Sequence, residues 1–121
     1  MKVSIDALVD EAIRSCAPEE LGMVLVHRGV VRGTSKDGRP VEGLHVEVDE
    51  ERLRRIEAKY RGMDGIGYVK VIANSGFLKV GETIMTVVVA GRFRDCVIPA
   101  MSGIIEEVKA ISRKKEVFSC P

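Results

Sequence analysis

The stretch YVKVIANSGFLKVGETIMTVVVA, residues 68–90, decides how the rest of the chain is read. Tyr68–Ala73 and Glu82–Ala90 are rich in β-branched residues and read as strands. Asn74–Gly76 and Lys79–Gly81 are turn-forming punctuation between them. The run Thr83–Val89 carries apolar residues at successive positions rather than alternate ones. A strand can be apolar on both faces only when both are covered, so this run is predicted to be a central strand.

Working outward, the flanking segments supply the covers. Ser4–Cys16 places Ile5, Leu8, Val9, Ala12, Ile13 and Cys16 at helical spacing, with Ser4 able to cap and Pro18 marking the exit. Gly22–Arg32 reads as a strand in which Gly29 suggests a bulge. Gly33–Pro40, GTSKDGRP, reads as a polar turn or mobile loop. Val41–Val48 alternates, with Leu44, Val46 and Val48 opposite Glu42, His45 and Glu47. Asp49 can cap a helix running to about Arg61, with Leu53, Ile56 and Tyr60 on one stripe and a Glu51–Arg55 pair beside it. Gly62–Gly67 breaks the chain.

A last helix is expected within Arg92–Arg113, lined by Val97, Met101, Ile104, Ile105, Val108 and Ile111. Pro99 must either kink it or occupy its first turn, because an interior proline costs about 3 kcal/mol. The tail Lys114–Phe118 can form a final strand. Helix, two strands, helix, two strands, helix, without a long linker, argues for one α+β domain over residues 1–121, a mostly antiparallel sheet with helices packed on it.

Lys plus Arg numbers 19 and Asp plus Glu 18, which gives none of the basic excess of a bulk nucleic-acid binder. Aromatics are 4% with no Trp, so base stacking is poorly supported. No apolar run reaches the length of a membrane span, and the acids near the start do not suit a signal peptide. Cys16, Cys96 and Cys120 are odd in number and lack ligand spacing, which fits a reducing cytoplasm. With His27 and His45 alone on separate strands, neither a metal site nor a cofactor is expected.

No phosphate loop, dinucleotide fingerprint or nucleophile elbow is present. The acidic stretch from Glu42 to Glu51 reads as a solvated strand face followed by a helix start. The cations are more informative. Arg28 and Arg32 lie on or beyond the first strand, Arg92 and Arg94 begin the last helix, and Lys109 and Arg113 are four apart on it. If that helix ends beside the first strand's end, these groups converge into an anion pocket. Crowded lysines also lower one another's pKa. A solvated basic helix terminus accounts for the same spacing.

The order of several motifs adds to this. Ser4–Gly33, with Pro18, Gly22 and then Gly29–Val30–Val31–Arg32, resembles the opening of molybdopterin synthase large subunits. Gly76, Leu78, Gly81 and Glu82 keep the spacing of that family's central hairpin, and Lys109, Lys114, Lys115 and Glu116 match its helix end and following "KKE". The chain departs where the family has His-Arg (here Gly91–Arg92, and Ala73–Asn74 in the hairpin), where it has Trp (Arg113), where the first strand's aromatic becomes His27, and where the Glu-x-Tyr segment becomes Glu47–Val48–Asp49.

The resemblance implies an α/β hammerhead fold. It implies an enzyme that adds two sulfurs to a cyclic pyranopterin monophosphate, giving molybdopterin. The sulfur comes from the thiocarboxylated Gly-Gly tail of a ubiquitin-like small subunit, and the large subunits form a homodimer. Carried over, Lys109 and Lys114 would be the reactive lysines, Arg32 and Arg92 would hold the substrate, and Lys115 would add positive potential. A relative that binds the small subunit or a pterin without turnover is the alternative.

Overall fold

A computed structural model describes residues 4–120. The elements are α1 (Ile5–Ser15), a 3-10 turn (Pro18–Glu20), β1 (Met23–Val30), β2 (Val41–Val48), α2 (Glu50–Arg61), β3 (Ile66–Ala73), β4 (Gly76–Lys79), β5 (Thr83–Gly91), α3 (Arg94–Ala110) and β6 (Ser112–Phe118). The valine-rich run is the middle strand of a three-stranded antiparallel sheet ordered β1–β5–β3. Val87, Val88 and Val89 are completely buried. Val87 and Val89 join Leu53, Tyr60, Val97, Met101 and Ile104 in a core beneath α2 and α3. Val88 and Ala90 point the other way, into a second core with Leu8 and Ala12 of α1. Alternation along one strand therefore feeds two cores.

Local sequence explains the covers. The Ser4 side chain accepts a hydrogen bond from the Ala7 N–H, and Asp49 Oδ1 accepts one from the Arg52 N–H at 3.1 Å. Helix α2 also closes the free edge of β3. Glu57 is buried and accepts the Val71 N–H at 2.6 Å, Arg54 Nη2 donates to Val71 O at 3.1 Å, and Arg61 Nη2 donates to Val69 O at 2.8 Å. Side chains thus occupy backbone groups that would otherwise invite another strand.

A second antiparallel sheet, ordered β4–β2–β6, packs Leu44, Val46 and Leu78 against Val31 on its inner face. Strand β4 lies between the two turns read at Asn74–Gly76 and Lys79–Gly81 and takes in one residue of each. Four residues show no period of their own, and β4 exists because Leu78 pairs with Leu44 across the sheet. The register shifts between Gly29 and Val30, as the bulge expectation required. β1 ends there, and Val31 donates its N–H to Glu82 O at 2.9 Å.

Residues 33–40 are an ordered hairpin. Thr34 bridges Pro40, Ser35 donates its N–H to Arg39 O at 2.9 Å, and Gly38 supplies the positive φ of +87° at the tip. Pro99 lies in the second turn of α3, beyond the first turn, and leaves the Asp95 carbonyl without its i+4 donor. No described helix is long and apolar enough to cross a membrane.

Candidate functional site

The site is built where β6 leaves α3 and runs along β2. In this antiparallel pair Ser112 faces Val48, Lys114 faces Val46 and Glu116 faces Leu44, so all three share β2's inward side. Lys109, in the last turn of α3, comes down beside the same place. Lys109 and Lys114 line a small apolar niche floored by Val46, Ile84, Met85 and Val108. Ser112 Oγ donates to Val108 O at 2.6 Å and fixes the turn between them.

Lys114 is solvent-accessible as a residue, but its ammonium is partly desolvated. Its pKa falls below the ordinary lysine value, first through this desolvation and second through the Lys109 charge. The expected crowding effect is therefore present as the smaller cause.

On its other side Lys114 opens onto a cleft of about 750 Å³. Arg32 lines the same cleft, together with Val31 and Ile84. Arg32 Nε donates to Thr34 O at 2.7 Å, and among the described residues no carboxylate lies within ion-pair distance of its guanidinium. Lys114 thus belongs to both places: it shares the niche with Lys109 and the cleft with Arg32, a residue far from it in sequence.

Arg92 does not join them in one chain. It follows β5, not the start of α3, whose cap is Phe93. Lys114 sits by Ile84 and Met85 at the opening of β5, whereas Arg92 succeeds Gly91 at its close, roughly 20 Å along the strand. There Arg92 Nε lies 3.1 Å from Glu20 and Nη2 lies 3.3 Å from Asp64.

Lys115 is also separated from the cleft. It pairs with His45 on the outer face of the sheet, where His45 packs on Phe77 at a centroid distance of 5.0 Å. The period of two explains this: Lys114 and Lys115 must point to opposite faces, and that signal was available in the tail once it was read as a strand. Glu116, Lys36 and Arg39 also line the cleft; Glu116 was matched to the family's "KKE" without a site role, and the other two were not singled out. Glu116 shared the same period; the two hairpin cations carried no local signal.

The departure at Gly91 has a steric cause. A Cβ there would stand 2.2 Å from Gly65 O and 2.8 Å from Val97 Cγ2. With Gly22 N–H donating to Gly91 O and Arg92 N–H to Gly65 O, at 2.8 and 2.9 Å, this packing has no room for a histidine side chain.

Comparison with known proteins agrees with the fold. The profile of the family described as MoaE protein matches residues 2–111. A molybdopterin synthase structure from Staphylococcus aureus superposes with a TM-score of 0.78 at 21% identity, covering 98% of this chain and 88% of that one. Molybdopterin cofactor biosynthesis protein E from Burkholderia multivorans gives 0.74 at 20%, covering 99% and 88%. The complex of subunits 1 and 2 of molybdopterin-converting factor from Helicobacter pylori gives 0.67 at 21%, covering 94% and 82%. No curated protein matches the chain.

Proposed function

Because the chain belongs to the MoaE protein family, the large subunits of molybdopterin synthase, and so to molybdenum-cofactor biosynthesis, we propose that it carries the sulfur-transfer site itself. In this reading a ubiquitin-like small subunit delivers sulfur as a C-terminal thiocarboxylate. The acceptor is a cyclic pyranopterin monophosphate, and the product after two additions is molybdopterin. The observation that supports the reading is the position of Lys114, which lines an apolar niche with Lys109 and an open cleft with Arg32.

Both reactants are anions, and a cation-lined cleft lowers the energy of bringing them together. Lys114 does the proton work. Its lowered pKa gives it a larger neutral fraction near pH 7 than an ordinary lysine has, which is what a proton shuttle or nucleophile needs. Lys109 supplies a neighbouring charge that favours this neutral state and, when Lys114 is neutral, remains to hold the thiocarboxylate. Arg32 binds the anionic substrate across the cleft.

A cytoplasmic homodimer belongs to the same proposal. Arg92 can reach a Lys114 cleft only if that cleft belongs to another copy, and Lys115 contributes through its field alone.

The test is conversion of the precursor by the purified chain with a thiocarboxylated small subunit. Wild type should turn over, and Lys109→Ala and Lys114→Ala should each lose activity. Full activity in both variants would sink the catalytic assignment. Capture of the small subunit with no turnover by wild type would move the chain to the binding role instead.

A further inference from the structure

Residues 33–40 form one wall of the Lys114 cleft, and they bring a second guanidinium to it. Arg39 is held on two sides. Its guanidinium carbon lies 3.9 Å above the centroid of the Phe118 ring, at the end of β6. Its Nε donates to Asp37 Oδ2 at 2.9 Å. Asp37 is in turn anchored by the buried Ser35 hydroxyl, the leading cause of its lowered pKa, so the carboxylate stays charged and keeps its grip. Ser119 N–H donates to Pro40 O at 3.2 Å and ties the end of β6 to the same hairpin.

The cleft holds four cations, Arg32, Lys36, Arg39 and Lys114, against two carboxylates, Asp37 and Glu116. An uncompensated positive balance at an open cleft favours an anion. A guanidinium stacked on an aromatic face, with Nε already engaged, keeps its two Nη groups for a forked contact. That geometry matches phosphate, and little side-chain entropy remains to be lost on binding. The arrangement also divides the cleft, with the desolvated lysine on the β6 side and the fixed fork on the hairpin side.

We infer that Arg39 is a substrate-binding residue that takes the phosphoryl group of the substrate, held ready by Phe118 and Asp37. This rests on the sulfur-transfer reading for the identity of the substrate, but anion binding at Arg39 stands apart from turnover.

Two measurements separate the two claims. In the first, inorganic phosphate is titrated into the full chain and followed by NMR. Arg39→Ala should weaken binding about tenfold with an unchanged melting temperature, as expected for loss of a charge-assisted contact. Arg39→Lys, which keeps the charge but not the fork, should recover part of it. Phe118→Leu, which leaves every charge in place, should weaken binding about threefold. In the second, Arg39→Ala should raise KM for the pterin monophosphate about tenfold with kcat nearly unchanged.

If wild type converts no precursor, the sulfur-transfer reading falls and the phosphate titration still decides Arg39. Phosphate binding by Arg39→Ala or Arg39→Lys equal to wild type, or none by wild type, overturns the inference. So would an adventitious pattern, in which Arg61→Ala, remote from the cleft, costs as much as Arg39→Ala.

Discussion

The two sheets differ in what covers them. β1–β5–β3 lies between α1 on one side and α2 and α3 on the other, and its middle strand is buried from Met85 to Gly91. β4–β2–β6 has an apolar inner face around Leu44 and Val46, while His45, Arg113 and Lys115 lie exposed on its outer face. The first sheet is where burial stabilises the fold. The second places Lys114 at the rim of its inner face, where a lysine can lose part of its water without being sealed. The difference shows how one small chain keeps a rigid core and still offers an open, charged cleft.

The largest effect that can break this division is on rate. Lys114→Ala should reduce precursor conversion by about 100-fold or more, the usual scale for losing a proton-transfer group, while calorimetric melting barely changes. A large loss of stability would show that Lys114 is structural. Next comes Gly91→Ala in the covered sheet. Its Cβ would press on the Gly65 carbonyl, which is backbone and cannot swing aside, so unfolding by denaturant should show a loss of about 3 kcal/mol. A near-neutral result would mean that the β3–β5 end relaxes freely and that steric exclusion does not explain the glycine.

Smaller is the contribution of the edge closure. Glu57→Ala leaves the Val71 N–H and Arg54 without their buried partner and should cost about 2 kcal/mol. It should also raise the tendency to associate, visible in light scattering, because an edge is opened.

Least is the pH effect at Lys114. The folded state binds its proton less tightly than the unfolded chain does. The unfolded state therefore holds more protons between the lowered value and the ordinary lysine value of about 10.4, and stability should rise slightly as pH climbs through that window. Acylation of Lys114, followed by mass spectrometry, should begin at lower pH than for a free lysine side chain. Lys109→Met should reverse only the smaller part of that advance, since desolvation is the larger cause.

Much of the fold was legible because its signals are local and periodic. Ser4 and Asp49 are caps, Leu53, Ile56 and Tyr60 fall on one helical stripe, and Thr83–Val89 could only be a strand buried on both faces. Strand β4 was not legible, because four residues acquire strand geometry from β2 rather than from themselves. The hairpin at residues 33–40 read as a polar loop because its order comes from the Thr34–Pro40 bridge and from the Ser119 N–H on Pro40 O, a partner far along the chain.

By itself the sequence determined most of the element types, the double-sided central strand and, through the order of its motifs, the family. Those features depend on residue identity and on spacing within one element, which a linear reading contains. Only the tertiary structure decided that Arg32 shares a cleft with Lys114, that Lys115 turns to the opposite face and that Arg92 lies at the far end of β5. Which cations share a cleft is set by strand register and by the end of the sheet to which each connection returns.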